Sequence, residues 1–290
     1  MKNILLWILL ATIWGSSYLA IKIGVESIDP LSLVAMRMMI GTIILLVILR
    51  AQSLSLPRDL ASWGVLTVSG LFGSIIPFSL ISFGELHVES GLAALLMGIS
   101  PVVTILLAPL AHKDEKLTKR SLIGIGFGIL GLLVLFGPAA LNGFGSHIMG
   151  QLAVLGAALC YAFTTLYLRK YANLPAVTMS AGSMLIGTII IVIAAFIIDA
   201  PLSSDLPSFN SLSAAIYLGI FPTALATWIY FYLVPQLGAA RMSQINFMVP
   251  VVGALLGIVF LNEALGFNAL IALLLILTAI YFVSFKPKVK

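Results

Sequence analysis

The sequence predicts an all-α integral membrane protein of ten transmembrane helices, arranged as two inverted five-helix repeats. Three observations predict this fold. The chain is 61% hydrophobic and only 9% charged, with a mean hydropathy of +1.17; it divides into apolar stretches long enough to cross a bilayer; and short motifs recur at offsets of about 145 to 149 residues. Soluble proteins carry roughly 25% charged residues, so the lipid bilayer is the main solvent here. The net charge of +5 comes without an aromatic-studded basic module, which excludes nucleic acid as a partner. Three histidines and one cysteine leave no material for a zinc site or a disulfide framework, and no metal or cofactor is expected.

A membrane helix needs roughly 20 apolar residues. Asn3–Ile21 is the first span, read as uncleaved because no small-x-small site follows it. Leu31–Leu49 is the second, opened by Pro30 and interrupted by Arg37. Ala61–Gly84 and Ser90–Ala111 are the third and fourth. Ser121–Gly137 is the fifth, ended by Pro138 and the Asn142-Gly143 turn signal. The second set comprises Ile148–Leu168, Pro175–Ile198, Leu212–Val234 (stopped near Pro235), Met242–Asn262 and Leu265–Phe285. The predicted units are residues 1–139 and 146–290.

The repeat rests on ordered coincidences. Ile40-Gly-Thr-Ile-Ile44 in the second span is identical to Ile186-Gly-Thr-Ile-Ile190 in the seventh. Pro77 matches Pro222, Lys22 matches Arg169, and Trp14-Gly15 falls against Tyr161-Ala162. The fourth and ninth spans each carry Pro-Val-Val (Pro101, Pro250) and end in Glu-x-Leu, at Glu115 and Glu263. Lysine and arginine fix the orientation. With both termini cytoplasmic, 13 of the 15 positive residues fall at inner ends; Lys22 lies near the outer face and Arg37 inside the second span. Five spans per half is an odd number, so the halves point in opposite directions. The basic loop His112–Arg120 accordingly has an uncharged-to-acidic counterpart around Glu263.

Two five-span repeats, Trp14-Gly15-Ser16, Arg37 early in the second span and the Pro…Glu-x-Leu ends together resemble the drug/metabolite transporter superfamily, EamA type. The resemblance covers nearly the whole chain. It implies a secondary transporter of the bacterial inner membrane, most often an exporter of amino acids or related metabolites; the superfamily also handles sugars, nucleotide derivatives and amphiphilic drugs. Gln244 and Asn246 depart from the family pattern, where small or apolar residues are expected. They mark either substrate specificity or another way of packing the ninth span.

The candidate substrate-binding residues follow from polar and aromatic groups placed inside spans. Arg37 sits about 9 Å into its helix at ~1.5 Å per residue. It snorkels to the outer interface or bonds to loop carbonyls, or else it attracts a substrate carboxylate or pairs with Glu26, Glu85 or Glu89. Trp14, Ser17 and Tyr18 share one face, and Tyr161, Thr164 and Thr165 are their counterparts; each set suits a small zwitterion and ordinary packing alike. Thr223, Thr227 and Trp228 lie beside Pro222, which frees a carbonyl. Gln244 and Asn246 stand about 200° apart on a helix, with Asn246 four residues before Pro250; Met97 is its repeat counterpart. Pro77, Pro101, Pro222 and Pro250 are candidate bend points for gating. Gly124, Gly128 and Gly131 form a close-packing face, docking the fifth span within its own bundle in a monomer or, alternatively, supporting a homodimer.

All ten acids are expected at span ends or in loops, with Glu85 the nearest candidate for ion coupling. Alternating access of two inverted repeats about a midplane site is the expected mechanism. An intramembrane serine protease needs a nucleophile and base within reach, but His87, His112 and His147 are placed in loops. A channel, an uptake carrier or a facilitator for a sugar or drug-like amphiphile is the alternative within transport.

Overall fold

The computed structural model describes residues 2–111, 117–141, 146–201, 206–237, 245–264 and 266–284. These residues contain helices and no strands: α1 (Lys2–Gly24), α2 (Pro30–Ala51), α3 (Leu60–Gly70), α4 (Ile76–His87), α5 (Ser90–Met97), α6 (Ser100–Ala111), α7 (Lys119–Leu141), α8 (Ser146–Tyr171), α9 (Ala176–Ile198), α10 (Phe209–Leu218), α11 (Ala226–Leu237), α12 (Ile245–Leu261) and α13 (Phe267–Ser284). Seven helical stretches are long and apolar enough to cross a membrane, and 248–261 and 267–282 are shorter apolar helices. Backbone polar groups in hydrocarbon must be satisfied within the segment, which is why apolar runs of this length fold as helices.

Several boundaries differ from the sequence expectation for local reasons. The fourth span is two helices. Pro101 cannot donate to the carbonyl of Met97, and the chain tightens at Gly98–Ile99 through short bonds from Gly98 N to Leu95 O and Ile99 N to Leu96 O. Pro138 does not end the fifth span, whose backbone stays helical to Leu141, and the eighth span runs through Pro235 to Leu237. His87 and His147 lie at helix ends rather than in loops. Pro77 and Pro222 each mark a π-helical segment, Leu71–Ile75 before the first and Gly219–Leu225 around the second. Each segment is closed by a bond five residues long, Ile76 N to Leu71 O and Ala226 N to Phe221 O. Widened turns of this kind accommodate a helix proline whose own donor is missing.

The helices interlock across the two halves of the chain. α7 packs on α13, α2 on α9, α4 on α8, α1 on α12, and α5 on α12. Lipid supplies no hydrophobic drive between helices, so close approach of small residues and interhelical hydrogen bonds carry the packing. The two Ile-Gly-Thr-Ile-Ile motifs meet: Thr42 Oγ1 lies 2.7 Å from Thr188 Oγ1. A methyl group added at Gly41 would overlap Thr223 Cγ2 at 2.5 Å, and one at Gly219 would meet Ile40 Cβ at 2.6 Å, so α2 rests directly on the second π segment. Gly128 abuts Ile99 and Val102 while Gly131 abuts Ile276, which docks α7 inside the protein.

One end of the bundle is sealed by long-range polar contacts. Asp199 Oδ2 accepts from Ser32 N at 2.7 Å, and Glu263 accepts from Ser90 N at 2.7 Å and Gly91 N at 2.9 Å. Two carboxylates from the second half thus cap the N-termini of α2 and α5, where unpaired N–H groups and the helix dipole favour negative charge. Asn262 takes a left-handed conformation (φ 54°) that turns Glu263 back toward α5. Ser211 Oγ donates to Ile23 O at 2.8 Å, and Lys22 Nζ donates to the carbonyls of Glu85 and Val88. Burial, and then the neighbouring Glu263 carboxylate, raise Glu89 above the usual carboxylate range. At the opposite end Asp59 caps α3 through Ser62 N at 2.7 Å, a bond that holds its carboxyl below that range.

The Thr42–Thr188 contact gives a direct check on this packing. Thr42→Val and Thr188→Val, combined in a double-mutant cycle of unfolding free energy, are expected to show a coupling of about 0.6 kcal/mol. Additive effects would mean that the two hydroxyls do not bond.

Candidate functional site

Arg37 is the centre of the site. A cation inside a membrane span requires compensation from its surroundings, and the surroundings are supplied by the two proline turns. Pro222 cannot donate to the Leu218 carbonyl four residues back; Thr223 Oγ1 donates to it instead at 2.8 Å. The same oxygen accepts from Arg37 Nη2 at 3.2 Å and Nε at 3.4 Å. On the other side, the Arg37 guanidinium carbon lies 3.9 Å from the centroid of the Phe78 ring, a cation–π geometry that strengthens where water is excluded. Phe78 and Thr223 are the residues that directly follow the matched Pro77 and Pro222. Arg37 is 3% exposed. It does not snorkel to an interface, and its neighbour Glu85 has no hydrogen-bond partner on either oxygen, so the expected pairing with Glu85 is absent.

A cavity of about 210 Å³ opens beside this clamp, lined by Ser69, Gly73 and Ser74 of α3 and the first π segment, Tyr161, Thr164, Thr165 and Leu168 of α8, Ser180, Ser183 and Met184 of α9, and Thr227 of α11. Among the described residues its wall is rich in hydroxyls and carries no charged side chain. Four of these hydroxyls donate into their own helices: Thr165 to Tyr161 O at 2.8 Å, Ser180 to Ala176 O at 3.1 Å, Ser183 to Met179 O at 2.7 Å, and Thr227 to Thr223 O at 2.5 Å. A hydroxyl that has given its proton to the backbone offers only lone pairs to the cavity. Thr164 Oγ1, buried and without a partner, is a free donor at the same wall. Thr227 joins cavity and clamp, since it lines the first and donates to the carbonyl of Thr223, whose hydroxyl holds Arg37.

The structure brings together Tyr161, Thr164 and Thr227 at the cavity, with Arg37 and Thr223 behind them. The other sequence candidates lie elsewhere. Trp14 packs against Tyr230, ring centroids 5.7 Å apart, and Ser17 Oγ donates to Trp14 O at 2.6 Å. Tyr18 and Met97 are buried in the main apolar cluster. Trp228 is 42% exposed, stacked on Tyr232. Gln244 and the side chain of Asn246 lie outside the described residues, as does Glu115. Pro250 meets the α5–α6 break, its ring 3.1 Å from the position of a methyl added at Gly98.

Sequence reasoning missed Ser69, Ser74, Phe78, Ser180 and Ser183. The available signal was the spacing of serines within apolar spans, Ser180 and Ser183 three apart on one face. Glu85 sits in the last turn of α4, at a span end as expected, and is fully buried there.

The clamp predicts a specific stability pattern. Thr223→Val removes the donor to Leu218 O and the acceptor for Arg37, at an expected cost of about 1–3 kcal/mol, whereas Thr223→Ser retains most of the stability. Denaturant unfolding of the purified protein measures both; equal losses in the two variants would contradict the role of the hydroxyl.

Comparison with known proteins agrees with this architecture. The model of the EamA-like transporter family matches residues 1–137 and 148–285. An uncharacterized inner membrane transporter of Escherichia coli K12, YedA, is 30% identical over 94% of this chain and 87% of its own length. An uncharacterized transporter of Bacillus subtilis, YoaV, is 25% identical over 98% of both chains. A solved crystal structure superposes with a TM-score of 0.68 at 22% identity, covering 97% of this chain and 96% of that chain, a likeness of fold. The chain belongs to the EamA-like transporter family: it is a multi-pass membrane transporter of small solutes, not an enzyme.

Proposed function

We propose that the protein is a secondary transporter of the bacterial inner membrane that exports amino acids or closely related metabolites by alternating access of two inverted five-span repeats. The observation that carries this reading is the hydroxyl-lined cavity beside Arg37, built from spans of both halves. Its volume of about 210 Å³ lies below the roughly 300 Å³ at which drug-sized pockets begin, which favours a small metabolite over an amphiphilic drug. Lone pairs on Thr165, Ser180, Ser183 and Thr227 suit an ammonium group. Arg37, held by the same Thr223 that bonds the lining residue Thr227, suits a carboxylate once its hold on Thr223 relaxes.

The repeat reading is supported by the packing pattern. Exchanging first-half for second-half spans maps the α2–α9 and α7–α13 pairs onto themselves, and maps α4–α8 onto the packing of α1 against α10 and α11. The units proposed are 1–139 and 146–290, with both termini cytoplasmic by the lysine and arginine distribution. On that orientation the cavity, near Leu168 and the exposed Arg169 and Lys170, opens to the cytoplasm, and the Asp199 and Glu263 caps close the outer face. An exporter loading from the cytoplasm rests in this arrangement. The prolines Pro77, Pro101, Pro222 and Pro250 are the proposed bends.

Growth rescue against toxic amino-acid analogues selects the substrate, and counterflow in proteoliposomes measures it. Saturable counterflow is expected, reduced about tenfold or more in Arg37→Ala and Tyr161→Ala at normal membrane insertion. Normal counterflow by a well-inserted Arg37→Ala protein would remove Arg37 from the mechanism, and unitary conductance steps would replace the carrier with a channel.

A further inference from the structure

Glu85 is the one acid among the described residues whose carboxylate oxygens are both buried and both without a hydrogen-bond partner. Its side chain is 0% exposed. The groups that face it come from several elements: Lys22 and Tyr18 from α1, Arg37 from α2, and Glu263 from the turn after α12. Neither cation is spent on it. Lys22 Nζ donates to the backbone carbonyls of Glu85 and Val88, and Arg37 is held by Thr223 and Phe78. An ionised carboxylate in this position would have neither water nor a donor, whereas the neutral acid avoids most of that desolvation. Gln151 Oε1 on α8 and Ser82 Oγ on α4 are likewise buried and unpaired, and among the described residues no donor is bonded to Glu85 to hold a charged form.

From this geometry we propose that Glu85 is a proton-binding site coupled to the transport cycle. It carries a proton in the arrangement described here and releases it when the bundle rearranges. The only bond made or broken is the carboxyl O–H: the proton passes to water on the open face and the carboxylate remains. Charge then balances through Lys22 and Arg37. Drawing Arg37 toward Glu85 takes it from Thr223 and Phe78, and so loosens the contact that holds the two proline turns together. Proton release and substrate loading are thereby exclusive, since the same guanidinium serves both. The inference rests on the transporter reading of the cavity for its coupling half, and on Glu85 alone for its proton half.

Two measurements on the full-length protein separate these halves. Infrared difference spectroscopy in lipid nanodiscs at neutral pH is expected to show the carbonyl stretch of a protonated carboxylic acid, absent in Glu85→Gln. A wild-type spectrum identical to that of Glu85→Gln would overturn the proton site. In proteoliposomes, uptake of a radiolabelled amino-acid mixture is measured with and without an imposed pH gradient. The expected wild-type ratio between the two conditions is about fivefold or more, falling to near one in Glu85→Gln. A gradient response that survives in Glu85→Gln, or counterflow in the wild type with no gradient response, overturns coupling while leaving the transporter reading intact. An infrared band with no uptake in any condition retains the proton site and overturns both coupling and the amino-acid reading.

Discussion

The candidate site depends on a buried guanidinium held between two helices, each of which carries a proline and a π-helical turn. A buried cation is costly in a bilayer, and here its compensation comes from the places where prolines disrupt the backbone. Pro222 deprives Leu218 of its helical partner, Thr223 replaces that partner, and the same hydroxyl oxygen receives Arg37. The face of Phe78, after the matched Pro77, covers the other side. The defect in each helix and the charge of the third therefore offset one another. Neither half can move its proline turn without altering what surrounds Arg37.

This constraint sits between two dissimilar ends. On one side lies a cavity of hydroxyls, four of which commit their protons to their own helices while Thr164 keeps a free donor. On the other, carboxylates from the second half are bonded to helix N-termini of the first, Asp199 on α2 and Glu263 on α5. Those contacts are geometric and electrostatic at once, because the helix dipole and the unpaired N–H groups point the same way. They seal one face of the bundle. The fold thus holds together a hydroxyl-lined cavity, a buried cation and a fully buried acid.

Much of this was legible in the amino acids, and the division has physical causes. Apolar runs report membrane spans directly, because the bilayer acts on composition over some twenty residues. The Ile-Gly-Thr-Ile-Ile motif was readable as a repeated segment, but that its two copies meet at Thr42 and Thr188 was not. Pro222 and Thr223 were readable together, since a proline and a hydroxyl one residue apart imply a freed carbonyl and a donor. The serines of the cavity were not readable, because a serine that bonds its own helix is indistinguishable in sequence from one that faces a ligand. Phe78 was invisible for the same reason: its significance lies in what passes over its ring. Aromatic and amide residues drew attention by their chemistry, yet Trp14 and Trp228 are occupied by packing against Tyr230 and Tyr232. Glu85 was readable as a residue of a helix end, but its burial was not, because proximity to a helix end does not determine burial.

The central claim is that the two faces of the bundle open reciprocally about Arg37. Pulsed electron resonance distances between spin labels test it most directly, with one pair at Leu60 and Tyr171, on the helix ends leading to the cavity, and another at Glu26 and Phe209 on the sealed face. As the transported solute is added, the account predicts that a shorter distance in the first pair grows in step with a longer distance in the second. Distances that change in one pair while the other stays fixed, or that lengthen together, would contradict it.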